Sequence, residues 1–177
     1  MPLYLPHLDE RTRELMLEEV EYDIKRNQLY IDPVLSRQGV HDYPKLLREA
    51  IESGDETTLA QTLDERRRIE RTLTRRKPSG GYSISAVAGT AAQQIAEGEF
   101  NRYYIRAVAR RAIDEGLEEL VVYRAKPVKK ARAESEELVE TTVDPHALLE
   151  DLRTHTGQPP ELGIPAGYGS SLSVRFP

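Results

Sequence analysis

The stretch of sequence that decides the fold is AAQQIAEGEFNRYYIRAVARRAIDE, residues 91–115. The apolar side chains that recur along it at helical spacing are Ala92, Ala96, Phe100, Tyr103 and Ala107. This spacing predicts a long helix that begins after Thr90 and ends at Gly116. Gly98 lies inside the helix, where glycine costs about 1 kcal/mol relative to alanine. It therefore predicts close packing against another backbone, or a kink.

Working outward, caps and apolar stripes predict four further helices and one strand. The helices span residues 9–26 with Asp9 as N-cap, 43–53 ending at Gly54, 55–76, and 145–154 after Asp144. The run Leu120–Tyr123 predicts a strand over residues 120–124. Residues 82–87 read as a short strand or an extended linker, and residues 134–143 are ambiguous. The predicted fold class is mainly α (α+β): a small helical body with one short strand.

The clearest internal break is Lys77-Pro78-Ser79-Gly80-Gly81. It separates an N-terminal helical region, residues 1–77, from a helix–strand–helix region, residues 82–155, and we expect the two to form one body. Helices 91–115 and 9–26 should supply most of the core.

The last 22 residues, 156–177, differ from the rest because they contain four glycines and four prolines. They predict an extended arm, without which the helical body should still fold. Within the arm, Leu172, Val174 and Phe176 alternate like one face of a strand. A strand of this kind could add to a neighbour's sheet. The residues predicted to form this assembly interface are Tyr168, Leu172, Val174, Arg175 and Phe176.

Composition excludes several classes of protein. The chain has 177 residues and no cysteine, which excludes a disulfide scaffold, thiol catalysis and thiolate metal sites. No window approaches the roughly 18 apolar residues of a membrane span. The first residues lack the pattern of a signal peptide. We therefore expect a soluble, intracellular protein without a membrane partner.

The net charge of −5 conceals three blocks of alternating sign. Residues 1–60 carry −6, residues 61–113 carry +6, and residues 114–161 carry −6. Arginine supplies 19 of the 25 basic residues, and it suits bidentate pairing better than lysine does. The layout fits contact with phosphate, but it fits packing between acidic and basic surfaces equally well.

Within the central block lies a candidate basic patch. Its members are Arg66, Arg67, Arg71 and Arg75, from a run that ends at Lys77, together with Arg102, Arg106 and Arg110, which recur every four residues. Arginines beside Tyr103 could bind phosphate and stack on bases. The other interpretation is salt-bridged packing onto acidic surface, in this chain or in a copy of it.

The sequence gives little evidence for a catalytic or metal-binding site. The four histidines have no paired ligand spacing, so no metal is predicted, and neither a nucleophile motif nor a phosphate-binding loop is present. No catalytic residue and no cofactor are therefore predicted. Glu97 and Glu99 are the one carboxylate pair in an apolar-rich helix. They indicate either a small enzyme or a structural contact of Glu99 with Arg102 or Tyr103.

Four segments resemble an uncharacterised family encoded in tailed-phage and prophage-like gene clusters. They are Glu97–Arg106, Val122–Lys126, Val143–Leu149, and the closing Gly163–Gly167 with Ser171–Arg175. The resemblance implies a virion structural protein, made in the cytoplasm and assembled with copies of itself or with other particle proteins. The leading expectation is thus a non-enzymatic head, decoration or head–tail joining component. The alternative is a nucleic-acid-binding accessory protein.

Overall fold

The computed structural model describes residues 1–128, 131–165, 167 and 169–177, with only the backbone of Arg66. The first three helices are α1 (Glu10–Lys25), α2 (Arg37–Ser53) and α3 (Glu56–Asp64), followed by a 3₁₀ turn at Glu65–Arg67. A hairpin of β1 (Thr72–Arg76) and β2 (Tyr82–Ala86) precedes the long helix α4 (Ala91–Asp114). The chain continues through β3 (Leu120–Arg124), α5 (Ala133–Glu137), β4 (Thr142–Val143), α6 (Pro145–Thr154) and β5 (Leu172–Arg175).

Helix α4 is the centre of the fold. Phe100, Tyr104, Ile105 and Val108 are all 0% exposed, because α1, α3, α6 and β5 pack around the helix. One apolar cluster combines residues of α1 to α4, α6, β3 and β5, so the regions predicted on either side of the Pro/Gly break share a single core. Helices account for 48% of the chain and strands for 13%, which confirms the predicted mainly α (α+β) class.

The capping signals locate the starts of α1 and α6 well. The Asp9 side chain accepts a hydrogen bond from the Thr12 N–H at the start of α1, and Asp144 accepts one from the Ala147 N–H at the start of α6. Helix α4 and strand β3 also lie where they were predicted. Helix α2 begins at Arg37 instead of Tyr43, because Ser36 caps it and Pro44 is accommodated inside it.

The predicted helix 55–76 is wrong beyond Asp64. The Ser36 N–H donates to the Arg68 carbonyl and the Glu70 N–H donates to the Val34 carbonyl, so this segment is held in extended form against residues 34–36. The chain then enters β1, where Thr72 and Thr74 suit a strand. Here tertiary hydrogen bonding overrides the helical spacing of Ile69 and Leu73.

The Pro/Gly break is the turn of the hairpin. Thr74 faces Ile84 and Arg76 faces Tyr82 across two antiparallel strands, so residues 82–86 form a strand and not a linker. Gly80 and Gly81 adopt φ values of 86° and 78°, which glycine tolerates best.

The prediction of an extended C-terminal arm that adds a strand to a neighbour's sheet is corrected by the pairing of the last strand. Strand β5 forms as its alternation predicted, but it pairs antiparallel with β3 of the same chain, with Val174 opposite Val122. Leu172 and Val174 are 0% exposed, and the Asn101 side chain donates to the Leu172 carbonyl at 2.7 Å. The two side chains are therefore part of the core and are not available to a neighbouring chain.

Candidate functional site

Arg106, in the middle of the three regularly spaced arginines of α4, is the centre of a buried ion network. Arg106 is 0% exposed; its Nη1 lies 2.6 Å from Asp23 Oδ2, and its Nη2 lies 2.7 Å from Glu19 Oε2. The Tyr103 hydroxyl donates a third hydrogen bond, 2.9 Å long, to Asp23. Because Glu19 and Asp23 belong to α1, the network fastens α1 to α4.

Two further arginines complete this network at its edge. Arg110 lies 2.7 Å from Glu18, and Arg153 of α6 lies 2.5 Å from Glu19. Burial raises the pKa of Glu19, but its contacts with Arg153 and Arg106 outweigh burial and hold the pKa below its usual value. For Arg106 and Arg110, the expectation of packing onto acidic surface in the same chain is confirmed.

Arg102 has a different partner, which is also intramolecular. Its Nη2 donates to the carbonyl oxygens of Leu152 and His155 at the end of α6, and the residue is 7% exposed. Arg102 and Arg106 therefore do not belong to an accessible basic patch, which corrects that prediction. Their amphipathic side chains fill space between helices as well as carrying charge.

The remaining members of the predicted patch lie on or beside the β1–β2 hairpin. Arg67, Arg71 and Arg75 are exposed, whereas the Arg66 side chain lies outside the described residues. Arg76 and Lys77 extend the basic surface to the turn. Arg68 is the exception in this run, since it is 7% exposed and lies 2.8 Å from Asp42.

The hairpin combines this charge with exposed apolar side chains. Tyr82 and Ile84 are each 72% exposed. They share one face of the ribbon with their cross-strand partners Arg76 and Thr74. No third strand joins β1 and β2 in the described part of the chain, so the ribbon exposes both of its edges. Sequence reasoning missed β1 and its pairing with β2, and it gave a strand as only one of two alternatives for residues 82–87. Thr-Leu-Thr and Ser-Ile-Ser nevertheless alternate on either side of a Gly-Gly turn.

Two other residues of the predicted assembly interface, Arg175 and Phe176, contact their own chain. Arg175 forms an exposed ion pair with Glu140 at 3.1 Å. The Phe176 ring lies 4.2 Å from the His7 ring, centroid to centroid. Tyr168 lies outside the described residues.

The carboxylate pair of α4 separates into two environments. Glu97 forms an ion pair with Lys126 and accepts a hydrogen bond from Gln93. Glu99 is 4% exposed and lines a cavity of about 180 Å³ between α4 and the loop that follows α6. Burial raises its pKa to about 7. The expected ion pair between Glu99 and Arg102 does not form within 4 Å, because the guanidinium donates to α6.

Comparison with protein-family models, curated proteins and solved structures gives no match for this chain. The hairpin and the cavity must therefore be interpreted from their own chemistry. Among the described side chains, no group of three or more His, Asp and Glu residues is placed to hold a metal ion. No helix in the described ranges is long and apolar enough to cross a membrane.

Proposed function

We propose that this chain is a non-enzymatic structural component of a phage-like particle, a head, decoration or head–tail joining protein that acts through protein–protein assembly. The observation that carries the proposal is the exposed hairpin, with bare strand edges and with Tyr82 and Ile84 each 72% exposed. The resemblance of the sequence to a phage-encoded family is the reason for proposing a phage-like particle. Such a protein would be made in the cytoplasm and end in the virion.

A bound partner would stabilise the hairpin. An isolated two-stranded ribbon is only marginally stable in water. Each of its large apolar side chains would gain about 1.5–3 kcal/mol if a partner covered it fully. The strand edges can pair with a strand of another chain at the same time.

Charge favours a second copy of this chain as that partner. Residues 71–87 contain four basic residues and no acidic residue, so the rest of a chain of net charge −5 carries −9. Among the described residues, none of Arg71, Arg75, Arg76 and Lys77 has an ion pair. The exposed carboxylates without an ion pair in the same part of the chain include Glu118, Glu119, Glu134 and Glu137.

The test compares two variants that each replace one exposed apolar residue. We expect Ile84→Ser to lower self-association of the full chain in sedimentation velocity at low salt. Val40→Ser, which changes a residue 40% exposed on α2, should leave self-association unchanged. A monomeric wild-type chain at every attainable concentration, or equal association of both variants, would refute assembly through the hairpin.

Nucleic-acid binding by the same hairpin is the second candidate. A two-stranded ribbon fits the major groove of DNA, and Arg75, Arg76 and Lys77 lie on or beside its turn. Retention of the wild-type chain on duplex DNA at ~50 mM salt, lost in a Lys77→Ala variant and at higher salt, would support this function. Absence of retention at ~50 mM salt would exclude it, since phosphate contacts are strongest there.

A further inference from the structure

The two outer edges of the hairpin differ in charge. Strand β1 contains Arg75 and Arg76 and is followed by Lys77, whereas β2 contains neither a charged residue nor a proline. Charged side chains and prolines are the usual means by which a protein keeps an exposed strand edge from pairing with another chain. The edge of β1 is therefore protected, and the edge of β2 is open to a partner.

The hydrogen bonds within the hairpin determine which backbone groups of β2 face outward. The Val87 N–H donates to the Arg71 carbonyl, so these two residues form a hydrogen-bonded pair. Hydrogen-bonded and non-hydrogen-bonded pairs alternate along an antiparallel ladder. The N–H and C=O groups that point away from β1 are therefore those of Tyr82, Ile84 and Ala86.

The open edge is complementary to itself. A second copy of β2 can pair with it antiparallel about a two-fold axis, and one register pairs all five residues of both strands. In this register Ile84 lies opposite Ile84 of the second copy, and Tyr82 lies opposite Ala86. On the other face of the sheet, Ser83 lies opposite Ser85. Every cross-strand pair is uncharged, and apolar side chains meet on the face that carries Ile84.

Charge disfavours the equivalent pairing through β1. A two-fold axis centred at Thr74 would place Lys77 opposite Arg71 of the second copy, and like charges directly opposite are destabilising. Pairing through β2 puts the two β1 strands on the outer edges of a four-stranded sheet, roughly 14 Å apart, which exceeds the Debye length of about 8 Å at physiological salt. It also directs each basic turn toward the body of the other copy, whose residues outside 71–87 carry −9.

We propose that two copies of this chain associate through β2, which pairs antiparallel with β2 of the second copy about a two-fold axis centred at Ile84. The pairing joins the two hairpins into one four-stranded sheet and gives the outward backbone groups of β2 their hydrogen-bond partners. This inference rests on the proposed assembly through the hairpin, and it specifies the strand edge and the register of that assembly.

Disulfide cross-linking tests the register, because the chain has no cysteine of its own. Ser83 and Ser85 of the second copy would form a non-hydrogen-bonded pair with Cα atoms about 4.5 Å apart, which suits a disulfide. The two Ser83 residues would lie on a diagonal, about 7–8 Å apart. A mixture of Ser83→Cys and Ser85→Cys chains should therefore give a disulfide-linked dimer on non-reducing electrophoresis, and each variant alone should give much less. Thr74→Cys, on β1, is the control and should give none.

A pair of proline variants tests which edge is used. Ala86→Pro and Thr74→Pro each replace a residue whose N–H points outward, so neither removes a hydrogen bond within the hairpin. Ala86→Pro should weaken self-association in sedimentation velocity at least about fivefold, since a two-fold dimer loses two hydrogen bonds. Thr74→Pro should associate like the wild type, and both variants should keep its far-ultraviolet circular dichroism.

The pairing would be overturned by a mixture that links no better than the single variants, by linkage through Thr74→Cys, or by equal association of the two proline variants. If the wild type self-associates and Ile84→Ser weakens it in the same experiments, assembly through the hairpin stands and only the β2 register fails. A wild-type chain that remains monomeric refutes both proposals.

Discussion

Replacing Arg106 with methionine tests whether the buried ion network holds α1 against α4. The guanidinium donates from Nε to Glu19 at 2.9 Å and from Nη1 and Nη2 to Asp23 at 2.6 Å and 3.0 Å. Methionine keeps an unbranched chain that fills much of the same space, but it removes every one of these donors. Asp23 then retains the Tyr103 hydroxyl, and Glu19 retains Arg153.

The expected cost follows from burial. Arg106 is 0% exposed, and the two carboxylates are each 1% exposed, so water cannot replace the lost contacts without opening the core. Removing one partner of such a buried pair typically costs about 3–5 kcal/mol. For a domain of this size, 1 kcal/mol lowers Tm by about 2–4 °C, so we expect a decrease of roughly 6–20 °C.

The free energy of unfolding is to be measured by urea denaturation at pH 7, followed by far-ultraviolet circular dichroism. Arg11→Met is the control, because Arg11 and Glu14 form a pair in which both side chains are more than half exposed. Such a pair contributes at most about 1 kcal/mol. A loss below about 1 kcal/mol in Arg106→Met, or equal losses in both variants, would refute the view that these ion pairs fasten α1 to α4.

Three other perturbations follow from the packing. Because burial raises the Glu99 pKa to about 7, the folded wild type binds this proton more tightly than the unfolded chain and should lose up to about 3 kcal/mol of stability as pH rises from 4.5 through 7. The Glu99→Gln variant should not show this loss. Urea titrations of both proteins at pH 4.5 and 8 measure the difference. Truncation after Thr156 removes β5 from the core and should abolish cooperative thermal unfolding; a cooperative melt at the wild-type Tm would contradict this. Gly39→Ala should lower Tm by a few degrees, since its Cβ would lie 2.2 Å from the Arg68 carbonyl oxygen, and an unchanged Tm would show that the backbone yields freely.

Local signals in the sequence predicted those parts of the fold that local interactions determine. Asp9 and Asp144 accept the hydrogen bonds expected of N-caps, so α1 and α6 could be located from capping alone. Strand β3 was predicted from four adjacent strand-forming residues. In these elements the local preference and the tertiary contacts agree.

The errors occur where a distant contact decides the outcome. Ile69 and Leu73 have helical apolar spacing, but the backbone groups of Arg68 and Glu70 bond to residues 34–36, which no local pattern reveals. The C-terminal segment is rich in Gly and Pro because it folds back in turns before β5 pairs with β3. The Glu99 cavity likewise required the structure, since its walls come from α4, from Tyr30 and from residues after α6, which are far apart in the sequence.

The sequence nevertheless indicates whether the arginines of α4 and of residues 71–77 are buried or exposed. The residues next to Arg106 in the sequence, Ile105, Ala107 and Val108, are apolar, and they are all 0% exposed. A guanidinium among them must therefore be buried and must find a carboxylate. Glu19 and Asp23 on α1 repeat at the same four-residue interval as the α4 arginines, and helices packed side by side can align two such stripes. The run Arg71–Lys77 has neither apolar flanks nor an acidic stripe of matching interval, and it remains exposed. Basic residues that recur along a helix are thus expected to be buried when their sequence neighbours are apolar and when carboxylates on another helix recur at the same interval. They are expected to be exposed when neither condition holds.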